Sequence, residues 1–337
     1  MKQIKCNSID KLPEDWEFWR KNIDREKYSN INQDIFPDVA TFCESLDNKI
    51  SKEIEIIRRI GSQSADGEVY NIRIQNIEFA MKIMPRIDSS SKDRNMNEIN
   101  IAKEASKYSD YYPKTFAFGS CSKSSFYKKQ NLESGFVNKA IEFHNYNLLI
   151  EQISVSKGNS KRFDADYRNG MGLLDLSQKY LLHYENLREI EVDFLISELA
   201  NGDLGNYIKR ERDIKEWKTI LSDILTGIYY LTVMLGKVHP DLHPGNVLII
   251  KDPLKALIHD FGRCYPVDNN IPETYKASLL SFCKEFLSCS SRDDLRIPRF
   301  VLIILTDIFN IVQRTTINPS NIKEVYEEIL FPIIDNM

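Results

Sequence analysis

The stretch VHPDLHPGNVLIIKDPLKALIHDFG, residues 238–262, carries three of the chain's five histidines together with Asp241, Asn246 and Asp260. Two chemistries compete for it. His239 and His243 are four apart, the spacing that puts two metal ligands on one helical face. Pro240 and Pro244 remove that possibility. A proline lacks an N–H and disfavours helix in the residue before it. The segment is therefore a loop, and the shared-face argument fails. His259–Asp260 is the pair found in some metal phosphohydrolases, but it follows a strand-like run, KALI.

The second chemistry is phosphoryl transfer. Asp241 and Asn246 sit five apart in the loop, and Asp260 follows two short apolar runs, NVLII and KALI, joined by KDPL. Two strands joined by a turn bring the ends of the segment together. Asn246 and Asp260 can then face one cation, and such oxygen ligands suit Mg²⁺. Asp241 is left to orient an incoming hydroxyl and accept its proton. Phosphoryl transfer needs mainly positioning and charge neutralisation, so this small set is chemically sufficient.

Working outward, residues 54–84 form three β-branched runs, IEIIRRIG, EVYNIRI and IEFAMKIM, bounded by turn residues. They read as consecutive antiparallel strands. RNMNEINIAKEASKY has helical spacing, VDFLISEL reads as a buried strand, and 214–235 carries one apolar stripe that Gly236 ends. TYKASLLSFCKEFL, PRFVLIILTDIFNIV and SNIKEVYEEIL read as further helices. Strands with one helix come first and helices follow, which predicts an α+β chain with two lobes of different class. Residues 1–50 read as an extension, and about 120–190, rich in Ser, Asn and Lys, as an insertion.

With 337 residues, 42% apolar content and a net charge of −4, the chain can build a large core and has no whole-protein pull toward nucleic acid or membrane. No apolar run spans a bilayer. The six cysteines form no CxxC pair, which speaks against a zinc ribbon or a disulfide framework and for a reducing compartment. The expectation is a soluble, intracellular, cytoplasmic protein with no nucleic-acid partner and no membrane span.

These pieces, in this order, resemble the protein kinase superfamily over residues 54–262. HPDLHPGN is similar to the catalytic loop, DFG at 260–262 to the metal-binding motif, FAMK to the third-strand lysine motif and NEINIAKEAS to the helix bearing its carboxylate partner. The resemblance implies Asp241 as base, Lys82 on the α- and β-phosphates, Glu98 paired with Lys82, His243 as a further catalytic candidate, and Asn246 and Asp260 on Mg²⁺. IGSQSADGEVY resembles the glycine-rich loop, and FLISELANGDL the strand and hinge that hold adenine. Ile60, Gly61, Ser64, Gly67, Val69, Ala80, Lys82, Glu198 and Ala200 are thereby implied to bind ATP, the last two chiefly through backbone groups near the hinge.

The implied plan is a bilobal protein-kinase-like fold over 54–337. Its small, mainly antiparallel β N-lobe with one helix covers about 54–197, and a trimmed, mainly helical C-lobe covers about 201–337. The implied activity is Mg²⁺-assisted transfer from ATP to a protein serine or threonine. The wording SELANGDL, DLHPGN and HDFGR is most similar to kinase-like proteins of large DNA viruses, which puts host cytoplasm or virion among the expected locations. The pattern is not complete. Ser64 stands at the middle glycine position, His243 replaces a lysine, and Pro240 replaces an arginine. A pseudokinase scaffold and a small-molecule kinase of the aminoglycoside or choline kinase type are the alternatives.

Overall fold

The computed structural model describes residues 23, 25–48, 54–64, 67–86, 89–124, 190–289 and 295–337. Most of the expected insertion at about 120–190 lies outside them.

The first part of the chain forms a five-stranded antiparallel sheet. Its strands are β1 (Glu55–Ser64), β2 (Gly67–Ile74), β3 (Ile77–Pro85), β4 (Thr115–Ser124) and β5 (Ile190–Glu198), in the spatial order β1-β2-β3-β5-β4. The three consecutive strands expected from the β-branched runs are all present. Cross-strand register sets their faces, because paired residues point the same way and alternate along each strand. Val69 pairs with Lys82 and Ile60 with Val69, so both share Lys82's face of the sheet, as does Ala80 two residues along β3. Phe79, Met81 and Ile83 point to the other face and are fully buried.

That other face is covered by the N-terminal stretch. Helices α1 (Arg25–Ser29) and α2 (Val39–Asn48) lay Tyr28, Phe42 and Leu46 into the same core as Ile72, Phe79 and Phe194. Phe42 stacks on Phe194 with ring centroids 3.8 Å apart, and Tyr28 and Phe36 lie 5.7 and 5.2 Å from Phe79. Each buried aromatic of this kind contributes about 1.5–3 kcal/mol. Residues 23 and 25–48, read from sequence as part of an extension, thus form one wall of the sheet's core. Their pattern misled because the face they cover is set by strand register, which is not visible within residues 1–50.

A further correction concerns the cysteines. Cys43 on α2 and Cys121 on β4 are joined by a disulfide across 78 positions of sequence. The absence of a CxxC pair carried no information about them, because helix and strand meet only in the fold. Among the described residues Cys264 and Cys283 are free and buried.

Helix α3 (Ser89–Ala105) leads from β3 to β4. After β5 come β6 (Gly202–Asp203), α4 (Leu204–Tyr207) and the long helix α5 (Ile214–Val233). A capping box starts α5. Asp213 accepts from the Glu216 N–H at 2.8 Å, and Glu216 accepts from the Asp213 N–H at 3.0 Å. The stripe read from sequence is buried at Trp217, Leu221, Ile224, Ile228 and Leu231, while Ile214 at its start is exposed. Gly236 adopts a left-handed φ of 59° just past the helix.

Next come β7 (Lys237–Val238), β8 (Val247–Lys251), β9 (Leu254–Ile258) and β10 (Tyr265–Pro266), then α6 (Thr274–Cys289) and α7 (Arg299–Arg314). The last helical run, 322–335, contains a π-helical turn at Val325–Leu330. These elements share a second hydrophobic core, built largely on α5, α6 and α7. The chain is α+β, with an antiparallel sheet and several helices. Among the described residues no helix is long and apolar enough to cross a membrane.

Candidate functional site

Three segments converge on Lys82. Its ammonium lies 2.6 Å from Glu98 Oε1 on α3 and 2.9 Å from Asp260 Oδ1 in the DFG stretch. Sixteen residues separate the first pair and 178 the second. Burial opposes the charge on Lys82 and Asp260, and the attraction within the cluster overrides it. Desolvation would lower the Lys82 pKa, but Asp260 and Glu98 hold it above its ordinary value. Desolvation would raise that of Asp260, but Lys82 holds the carboxyl well below the usual carboxylate range.

Backbone geometry brings Asp260 to this position. Its φ is 64° and its ψ 67°, a left-handed conformation that few residues other than glycine adopt and that aspartate tolerates better than most. A three-residue 3₁₀ turn, Phe261–Arg263, follows. Phe261 is buried and meets Tyr112 edge-on, anchoring the turn. Gly262 lets α3 approach closely: a Cβ there would lie 3.1 Å from Glu98 Oε2 and press on the ion pair, and 3.5 Å from Arg94 Cγ. Asn97, one residue before Glu98, donates to the Cys264 carbonyl at 2.8 Å. Helix α3 and the turn are thus tied on both sides of the Lys82 ion pairs.

The β8–β9 hairpin does what the spacing predicted. Val247 pairs with Ile258, and the next position outward brings His259 N–H to within 3.1 Å of the Asn246 carbonyl. Asn246 Nδ2 donates to the Asp241 carbonyl at 2.7 Å, so the asparagine braces the loop bearing the aspartate. Among the described residues no group of three or more His, Cys, Asp or Glu side chains is arranged to hold a metal ion. A cation here would depend on Asp260 and Asn246 together with oxygens of a bound ligand.

The histidines divide their labour. His239 is fully buried, with Nε2 3.1 Å from the His259 carbonyl, and desolvation lowers its pKa. His259, given no role from sequence, bonds the Gly245 carbonyl through Nε2 at 3.1 Å and is pushed down to about 4 by desolvation. His243 Nδ1 accepts from the Gly245 N–H at 3.0 Å and caps the turn Pro244–Asn246. The cation beside Asp241 is instead Arg263, 3.2 Å away. Its place directly after DFG was the one available signal for it.

Three of the remaining expected residues share the Lys82 face, whereas Glu198 pairs with Phe79 and so turns its side chain to the opposite one. Ile60, Val69 and Ala80 line up with Lys82 through the strand register. Gly61 and Ser64 lie in the last part of β1. Ile60 pairs with Val69 and Ser64 with Gly67, so three residues on β1 oppose one on β2, an irregularity with two extra residues. Gly67 has φ 151°, and a Cβ there would meet the Ile83 carbonyl at 2.6 Å. Glu198 and Ala200 lie at the end of β5. Beyond the backbone role expected for it, Glu198 has a fully buried carboxylate that takes two bonds from Arg25, at 3.0 and 2.6 Å. Nothing in sequence signalled that pair, whose members are 173 residues apart.

No family model matches the chain. It is 26% identical over 119 residues to the dual specificity protein kinase TTK of Mus musculus, and 28% identical over 124 residues to ribosomal protein S6 kinase alpha-4 of Homo sapiens. Each match covers 34% of this chain, and respectively 13% and 16% of the relative. The likeness is to protein kinases, and it spans a small part of each.

Proposed function

We propose that this chain transfers the γ-phosphoryl group of ATP to a serine or threonine hydroxyl of a protein. The observation that carries the reading is Lys82 held between Glu98 and Asp260, with Asp241 braced by Asn246 on the adjoining loop. Lys82 would neutralise the α- and β-phosphates, and Asp241 would orient the hydroxyl and take its proton. Asp260 and Asn246 offer hard oxygen donors that fit Mg²⁺, which takes few protein ligands and fills the rest with phosphate and water. That ion would supply charge neutralisation on the phosphates. Ile60, Val69 and Ala80 would enclose the adenine, Glu198 and Ala200 would bond it, and the β1–β2 hairpin at Gly61, Ser64 and Gly67 would cover the phosphates. His243 would orient the loop from its capping position.

The domain plan that goes with this reading is a kinase-like unit over 54–337, with a sheet lobe and a helical lobe on either side of residues 198–201. The motif wording shared with kinase-like proteins of large DNA viruses supports a viral source and a host-cytoplasm or virion location. One observation favours a second reading, a nucleotide-binding scaffold: the two extra residues in β1 widen the hairpin that would close over the phosphates.

Labelled ATP, Mg²⁺ and generic protein substrates test the reading. The unaltered protein is expected to transfer label and Asp241→Asn to lose at least about a hundredfold in rate. Equal transfer by both proteins rules the assignment out.

A further inference from the structure

The N-terminal stretch reaches the segment proposed to read adenine at the Glu198–Leu199 peptide group and at the Glu198 side chain. Along β3 and β5, Phe79 pairs with Glu198, so Glu78 and Leu199 come next in register. The Tyr28 hydroxyl stands between them. It donates to the Glu78 carbonyl at 2.6 Å and accepts from the Leu199 N–H at 3.3 Å. Burial pushes the phenol well above its ordinary pKa, so the hydroxyl keeps the proton that it donates.

The peptide joining Glu198 to Leu199 is planar and trans, so its C=O points opposite to its N–H. Holding the Leu199 N–H therefore fixes the direction of the Glu198 carbonyl. Arg25 secures the same residue from its side chain. Its guanidinium forks onto both Glu198 carboxylate oxygens and bonds the Ser109 carbonyl. The Lys114 N–H adds a further bond to Glu198 Oε1 at 3.2 Å, and the Glu198 N–H donates to the Lys114 carbonyl at 2.9 Å. Just past Ala200, the Asn201 N–H donates to the Ile249 carbonyl and Asn201 Oδ1 accepts from the Lys251 N–H, both at 2.9 Å. The segment is held from both ends.

We infer that Tyr28 and Arg25 are positioning residues that aim the Glu198 carbonyl at the adenine amino group and so set nucleotide affinity and base selectivity. This rests on the proposed nucleotide site. A carbonyl fixed before binding loses little freedom when it accepts the bond, and a ligand gains affinity by that difference. Only a base with a donor at that position benefits: adenine carries an amino group there, whereas hypoxanthine carries an acceptor.

The test compares ATP and inosine triphosphate by calorimetric titration of the full chain. Tyr28→Phe keeps the ring and removes the hydroxyl. It is expected to weaken ATP about three- to tenfold, the size of one modest hydrogen bond, and inosine triphosphate less than twofold. Arg25→Gln carries the same expectation should Tyr28→Phe fail to fold. Phe42→Leu, which loosens the same stretch away from Glu198, is expected to lower stability and leave the ATP-to-inosine ratio unchanged. If Tyr28→Phe and Arg25→Gln weaken both nucleotides equally, or neither, the inference is overturned while the proposed function stands. Failure of the unaltered protein to bind either nucleotide overturns both.

Discussion

Arg263 reaches back from the turn after Asp260 to place its guanidinium 3.2 Å from Asp241 Oδ2. It is a permanent charge beside Asp241, while His243 is occupied in capping its own turn. The pair is solvent-facing, with side chains 58% and 36% exposed, so it adds little to stability. Arg263→Ala should therefore change the urea midpoint very little and lower the rate of phosphoryl transfer about tenfold or more. A variant with unchanged rate would leave Arg263 without a part in the chemistry.

Lys82 separates two carboxylates that would otherwise face each other. Lys82→Ala should cost about 3 kcal/mol of stability, because it leaves buried negative charge uncompensated. Asp260→Asn in the same protein should return part of that loss, since one charge is gone. Urea unfolding of the two single variants and the double variant measures the coupling. Simple additivity would mean that the ion pairs do not act as a unit.

His259 sets a pH dependence of stability. Its ordinary pKa of 6.5 is pushed down to about 4 in the folded chain. Between these values the unfolded chain binds a proton that the folded chain refuses. Stability is therefore fully present above about pH 6.5, and it is lost as pH falls toward 4. The loss is at most about 3 kcal/mol, an upper bound because the residue is only half-buried. His239, lowered by the same desolvation, adds in the same direction. The slope of unfolding free energy between pH 7 and 4.5 should flatten in His259→Gln; an unchanged slope would assign the loss to other groups.

The Cys43–Cys121 bond closes a long loop, and opening it should lower stability by about 2–4 kcal/mol. Mild reduction of the native protein followed by alkylation should label Cys43, the partly exposed half of the bond, well before the buried Cys264 and Cys283. Desolvation raises both buried thiols, Cys283 to about 12, so neither forms a thiolate readily at neutral pH. Peptide mapping of the alkylated protein reads the order.

The shape of the loop was legible in the sequence because it is local. Two prolines exclude a helix, two short apolar runs make a hairpin, and Asp241, Asn246 and Asp260 are close along the chain or joined by one turn. The Lys82–Glu98 pair was implied by the resemblance of FAMK and NEINIAKEAS to kinase motifs, and the fold forms it between a strand and the helix that follows, sixteen residues on. The tertiary structure decided the rest: Tyr28 and Arg25 against the end of β5, Cys43 against Cys121, and Arg263 rather than His243 beside Asp241. Tyr28 is 171 residues from Leu199, and Arg25 is 173 from Glu198. Such contacts depend on which face of the sheet each strand turns outward and on how sharply the backbone turns at Asp260. Both are set by strand register and packing across the whole chain, so no window of sequence contains them.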